Sequence, residues 1–320
     1  MDFTSQISGP LAKLEEELSL ILTSQEPVVQ EINKYLLETP GKRIRPALFF
    51  LSLALWKEEP QEHLSVAVAL ELIHSATLVH DDVVDASKVR RGKPSINEAW
   101  GNHTAVLTGD YLFARAFELL TEYGNISLIK EMSALVRDMS EGEIQQQAQR
   151  FCTDLDIKNY LQRIAKKTAR FFMVCAKSGG IVARPQDTEA ICALENYGYN
   201  VGMAFQLIDD LLDVTGNEDT IGKPLGEDLR QGVITLPILH VLQVSPHGRE
   251  FSAQIASRQI DDSLLSTLTT EMERHGCAEF VKNYAWQYVK AAQRALEPLP
   301  RNPCRQTLDT ASRFIVERWF

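Results

Sequence analysis

Leu11, Leu14, Leu18 and Leu22 recur three or four residues apart, as do Val28, Ile32 and Tyr35. That spacing lines apolar side chains along one face of an α-helix. The same period predicts helices over roughly 46–57, 61–82, 103–123, 126–151, 157–179, 187–215, 233–245, 261–274, 278–296 and 303–319. Sparse turn signals separate them: Pro40-Gly41, Glu59-Pro60, Gly101-Asn102, Gly124-Asn125, Gly216-Asn217 and Ser245-Pro246. No run alternates in the manner of a half-buried strand. No Gly/Ser/Pro-rich linker divides the chain, and no solenoid repeat is visible. The pattern predicts one all-α domain over residues 1–320, with ten or more helices and short loops.

Two stretches, 46–56 and 64–79, are apolar nearly all round, so they belong at the centre with other helices about them. The second runs into "TLVHDDVVD", where Asp81, Asp82 and Asp85 end a helix whose neighbours are buried. Carboxylates there are costly unless something neutralises them.

Composition narrows the partners. The 320 residues are 44% apolar and 24% charged, as in an ordinary globular protein, and long enough to bury a sizeable core. The net charge of −10 gives no basic field for nucleic acid. An anionic substrate would need local cations or metals. Five scattered cysteines without a CxxC pair read as reduced thiols of a cytoplasmic protein. The acidic N-terminus lacks a signal-peptide core, and the run 46–56 is too short to span a bilayer.

A second cluster answers the first. "FQLIDDLLDV" carries Asp209, Asp210 and Asp213 in the same DDxxD spacing. In each cluster the outer aspartates, four residues apart, project within about 40° of each other, and the middle one points about 100° away. Two bare acidic faces would repel across a bundle. Mg²⁺ would relieve this, because it takes carboxylate oxygens, keeps waters and shares its shell with phosphates. A single DDxxD is as readily a solvated helix end; two in apolar surroundings argue for metal. A di-iron bundle would need two Glu-x-x-His motifs, and only "ELIH" (71–74) is present. "HD" at 80–81 suggests a metal phosphohydrolase, without a matching pattern among the other histidines.

Cations surround these clusters. "PGKRIRPAL" sets Lys42, Arg43 and Arg45 before a helix, with Pro46 suited to its first position. "VRRGK" adds Arg90 and Arg91, "KKT" adds Lys167, and "IGKPLGEDL" adds Lys223. Seen alone, each is as readily a solvated basic turn. A cationic rim about acidic walls implies a polyanion, with one phosphate group on metals and another on Lys and Arg.

Taken in order, "GKRIRP", "HSATLVHDDVVD", "RRGKPSIN", "TGDYL", "YGYNVGMAFQLIDDLLD", "GKPLGEDL" and "TLPIL" resemble the trans-prenyltransferases, or polyprenyl diphosphate synthases, over nearly the whole chain. The resemblance implies an all-α isoprenoid-synthase fold around a central cavity, usually a homodimer. It implies head-to-tail condensation of isopentenyl diphosphate onto an allylic diphosphate. By this resemblance Asp81, Asp85 and Asp209 ligate Mg²⁺, supported by Asp82, Asp210 and Asp213. Arg90, Lys167, Thr168, Gln206 and Lys223 hold the allylic diphosphate. Lys42, Arg45, His74 and Arg91 hold isopentenyl diphosphate. One position departs: many relatives carry a lysine before "TLP", where this chain has Val233.

Product length is read from the helix entering the first cluster. Ala76 and Thr77 lie about 6–7.5 Å below Asp81 along the axis. Short-chain relatives usually carry a bulky aromatic at this level. Here both residues are small, and Ile73, Leu70 and Val66 continue below them. That is ordinary core packing or an apolar tunnel, and the tunnel implies a product of roughly six to ten isoprene units, such as feeds quinone side chains at a membrane. The rivals are a short-chain synthase, a terpene cyclase, a regulatory subunit without both clusters, and a catalytic subunit needing a small partner, as in heterodimeric heptaprenyl synthases.

Overall fold

The computed structural model describes residues 5–38, 41–216 and 225–317, so Lys223 lies outside the described residues. The chain is helical almost throughout. In order come α1 (Ser8–Ile21), α2 (Pro27–Leu37), α3 (Ile44–Leu53), α4 (Leu64–Val84), α5 (Ile96–Trp100), α6 (Asn102–Tyr123), α7 (Ile126–Ala148), α8 (Ile157–Ile164) and α9 (Arg170–Ala183). Then follow α10 (Thr188–Thr215), α11 (Glu227–Arg230), α12 (Leu236–Val244), α13 (Gly248–Ala256), α14 (Asp262–Arg274), α15 (Cys277–Ala295) and α16 (Pro303–Glu317). Among the described residues the only strands are β1 (Val89–Arg90) and β2 (Lys93–Pro94), an antiparallel pair. The all-α expectation holds.

Local chemistry sets the ends. Pro27 opens α2, where a missing N–H costs nothing. Asp156 and Asp261 cap α8 and α14 by accepting the backbone N–H of Asn159 and Leu264 at 2.7 and 2.8 Å. Gly124 ends α6 at φ 78°, a left-handed turn that favours glycine.

The helices group into two compact units. The first comprises Met1–Val136, Val174–Leu194 and Pro298–Leu308. Its centre is α4, which packs along α3 and α6, with Phe49, Phe50, Val66, Leu70 and Ile73 fully buried. With the turn before it, Pro60–Val84 is long and apolar enough to cross a membrane by composition, although 46–56 is not. Its burial among α1, α3 and α6 accounts for that composition as a core helix. The second unit comprises Arg137–Met173, Glu195–Glu297 and Asp309–Phe320. Its core gathers Tyr160, Leu207, Leu211, Ile234, Leu239, Leu268 and Val289.

Two expectations need correcting. The helix read over 157–179 is two helices joined by a π turn, Ala165–Ala169, which inserts one residue into the periodicity. Helix α3 begins at Ile44, so Pro46 stands third in its first turn, where a backbone N–H would still lack an intrahelical acceptor.

Candidate active site

In the first unit the two faces of α4 are divided by chemistry. Asp81 and Asp85 stay partly open to solvent, whereas Asp82 is 3% exposed. Asp82 is buried because Arg90 grips it: the guanidinium Nε donates to both carboxylate oxygens at 2.9 and 3.2 Å, and an Nη donates to the first of them. The hairpin supplies that grip. Arg91 and Gly92, at φ 53° and 77°, form the two-residue turn between β1 and β2. Such turns match strand twist but cost a non-glycine residue about 1 kcal/mol. The strain at Arg91 accompanies a division of labour: Arg90 turns back to Asp82 and Arg91 turns to a second pocket.

That pocket, of about 220 Å³, is lined by Gly41, Lys42, Arg43, Ile44, Arg45, Glu71, His74 and Arg91. Four cations meet one carboxylate and one imidazole. Lys42 is exposed. Arg43 is consumed by ion pairs with Glu15 and Glu71. Arg45 Nη1 donates to His74 Nε2 at 2.9 Å, which assigns His74 as the acceptor there and places its proton on Nδ1. Burial and the surrounding arginines hold the His74 imidazole well below the usual histidine range. It is therefore neutral in the fold. Unfolded, it protonates below the ordinary value near 6.5, so its contribution to stability is present at neutral pH and is lost as pH falls through that value. In nitrogen-correlated NMR at pH 6, His74 should show a neutral ring protonated at Nδ1; an imidazolium signal would contradict the assignment. Glu71 and His74 are thus engaged by arginines, and "ELIH" is not half of a di-iron site. His80 instead donates from Nε2 to Val106 O at 2.9 Å and faces α6.

The second unit repeats the division on α10. Asp209 is exposed and Asp210 is 4% exposed. Both oxygens of Asp210 are taken: Tyr160 Oη donates to one and Gln206 Nε2 to the other, each at 2.6 Å. Gln206 in turn accepts from Thr168 Oγ1 at 2.6 Å. This chain ties the π turn to the acidic cluster. Lys167, on the same turn, forms an ion pair with Glu143 of α7 at 2.6 Å. Asp213 is half-buried, and among the described residues its Oδ2 is enclosed without a hydrogen-bond partner. Burial first, and Asp228 second, push both Asp210 and Asp213 above the usual carboxylate range.

These features fit a hard divalent cation. An enclosed, unpartnered carboxylate oxygen and mutually repelling aspartates are what such an ion relieves. Among the described residues no three acidic, histidine or cysteine groups converge into a cage.

Residues 26–272 match the polyprenyl synthetase family. The chain belongs to it. Similar relatives include octaprenyl diphosphate synthase of Escherichia coli, 36% identical over 99% of this chain and 97% of that one. Component 2 of the Geobacillus stearothermophilus heptaprenyl diphosphate synthase is 36% identical over 98% and 97%. A short chain isoprenyl diphosphate synthase of Methanothermobacter thermautotrophicus is 35% identical over 89% of each. Among solved structures, a Caulobacter crescentus polyprenyl synthase complexed with calcium and isoprenyl diphosphate matches with a TM-score of 0.94 and 32% identity, covering 99% of this chain and 97% of that one. The protein is thus a prenyltransferase that makes an isoprenyl diphosphate, in a family whose members differ in product length.

Several members of the two networks carry no signal in sequence. Tyr160 looks like any core aromatic, and Glu143 like any helix-surface acid. Asp228 stands inside "GKPLGEDL", where its acidity beside a glycine loop was a usable cue. Val233, in place of the lysine of many relatives, is 8% exposed and continues the core of this unit.

Proposed function

We propose that the protein is a Mg²⁺-dependent synthase that condenses isopentenyl diphosphate head-to-tail onto an allylic diphosphate, giving long all-trans chains of roughly C30–C50. The observation that carries the site assignment is the shared division of the two DDxxD clusters. In each, the middle aspartate is buried and held by protein donors, whereas the outer ones are more open to solvent, where a metal can reach them.

Asp81, Asp85 and Asp209 would hold the metal, with Asp82, Asp210 and Asp213 in support. Bound there, Mg²⁺ would supply Lewis-acid stabilisation of the leaving diphosphate. The residues of this chain do the rest. Arg90, fixed by Asp82, and Lys167, Thr168 and Gln206 on the network around the π turn hold the allylic diphosphate, joined by Lys223. Lys42, Arg45, Arg91 and neutral His74 hold isopentenyl diphosphate by charge and hydrogen bonds. Breaking the allylic C–O bond leaves a carbocation; the isopentenyl double bond attacks it. A proton then passes to the departing diphosphate, so no protein nucleophile is required.

The long-chain reading is supported by the small, half-buried Thr77 on the face of Asp81 and by relatives named for octaprenyl and heptaprenyl products. A short-chain product is the second reading, favoured by the full burial of Leu70, Ile73 and Ala76. The protein would act in the cytoplasm as a homodimer, or with a second subunit as the name component 2 suggests, making products destined for quinone side chains.

The test is a product assay with purified protein alone, Mg²⁺, labelled isopentenyl diphosphate and a C15 allylic primer. A ladder reaching C30 or beyond is expected. A stop at C20 would establish the short-chain reading, and no product from folded protein would point to the missing subunit.

A further inference from the structure

The π turn is met by a charged segment of α7 that the diphosphate-site reading leaves unexplained. Within "EGE", Glu141 pairs with Lys166 at 2.9 Å and Glu143 with Lys167 at 2.6 Å. Between them Gly142 lets the turn approach closely: a Cβ there would lie 3.1 Å from Lys166 Cβ and 3.3 Å from the Lys167 backbone nitrogen. The two pairs differ in setting. The Lys166 and Glu141 side chains are 42% and 50% exposed, whereas those of Lys167 and Glu143 are 28% and 17% exposed. Glu143 is also fixed from behind, since Gln147 Nε2 donates to its Oε1 at 3.0 Å. Burial alone would raise the Glu143 carboxyl, yet Lys167, Gln147 and Arg163 outweigh it and hold it below the ordinary value, so it stays ionised.

An exposed pair of this kind is screened and nearly neutral in energy, whereas a sheltered pair with a held carboxylate fixes its lysine. Lys167 shares its turn with Thr168, whose hydroxyl joins the Gln206–Asp210 network. Orienting Lys167 therefore orients one side of the proposed diphosphate site.

We propose that Glu143 is the resting counter-ion of Lys167: a positioning residue that keeps the ammonium aimed and yields it to the incoming diphosphate. This rests on the placement of Lys167 in the allylic site. The exchange has a directional consequence. Each diphosphate must compete with Glu143 for Lys167, so Glu143 weakens retention of the pyrophosphate product and helps it leave.

The test uses the full-length protein, Mg²⁺ and inorganic pyrophosphate as the probe. Glu143→Gln preserves shape and can still accept from Gln147. Removing one sheltered pair should lower the pyrophosphate Kd about fivefold. The KM for the allylic diphosphate should fall while kcat does not rise; loss of a mere structural prop would instead raise KM. Glu141→Gln should leave both unchanged. In a Lys167→Ala background, Glu143→Gln should no longer alter the Kd. If Lys167→Ala weakens pyrophosphate binding but Glu143→Gln leaves it unchanged or weaker, the counter-ion role is overturned and the site reading stands. If Lys167→Ala itself has no effect, the site reading fails, and this inference fails with it.

Discussion

Replacing Asp81 or Asp209 with alanine should lower turnover about a thousandfold or more while leaving the melting temperature nearly unchanged. The two halves of that expectation come from different observations. Activity is lost because the more open, outer aspartates are the ones proposed to hold metal, and the developing charge on a departing diphosphate then lacks its stabiliser. Stability survives because Asp81 is only partly buried and Asp209 is exposed. Surface changes of this kind shift stability by about 0.5 kcal/mol. Asp82→Ala provides the contrast. It strands a guanidinium that makes three hydrogen bonds to the buried carboxylate. Its cost should be about 2 kcal/mol, the low end for a broken pair because the Arg90 side chain is 34% exposed. Thermal melts beside steady-state turnover separate the cases. Retained activity in either outer variant would refute the metal assignment, and a melt of Asp82→Ala matching the wild type would refute the account of how the clusters are built.

The clusters were legible because spacing alone decides which aspartates share a helix face. The middle aspartate's 100° offset anticipates its separate fate. What spacing could not show was the donor each one meets. Arg90 reaches Asp82 because the chain turns back after α4, where Ala86 stands at φ 50° and the Ser87 N–H donates to Asp82 O at 2.9 Å, and two-residue strands leave no alternation to detect. Tyr160 reaches Asp210 across 50 residues of sequence.

The cations show the same limit. "KRIR" reads as three equivalent charges, yet Arg43 is spent on Glu15 and Glu71, each 28 residues away. Charge counts along a sequence do not reveal which partners folding will supply. The π turn escaped for another reason. One inserted residue shifts the apolar face without ending it, so a window spanning 157–179 still averages to a helix. The residues that break the pattern, Lys166 to Thr168, are those that contact Glu141, Glu143 and Gln206.

Thr77→Phe should shorten the product to about C15–C20, and Ala76→Phe should chiefly destabilise the fold. Sequence alone treats the two positions alike, since both lie just below Asp81 and both are small. Helix geometry separates them. Thr77 stands one turn before Asp81 and shares its face; Ala76 stands one turn before His80 and shares that one. The His80 face is closed. A Cβ on Gly109 of α6 would lie 2.1 Å from His80 Nε2, so α4 and α6 are in close contact there, and Ala76 is wholly buried. A phenyl ring at Ala76 has nowhere to go without displacing the core, at about 1–3 kcal/mol. Thr77 is half-buried, and its hydroxyl bonds back to His74 O at 2.8 Å. A ring at Thr77 can therefore stand beneath the metal-binding face and block a growing tail. Chromatographic sizing of the dephosphorylated products, with melting curves of both variants, reads the two effects independently. If Thr77→Phe makes the wild-type length, the tail does not pass this face of α4. If Ala76→Phe melts normally and alone shortens the product, the tail runs along the His80 face instead.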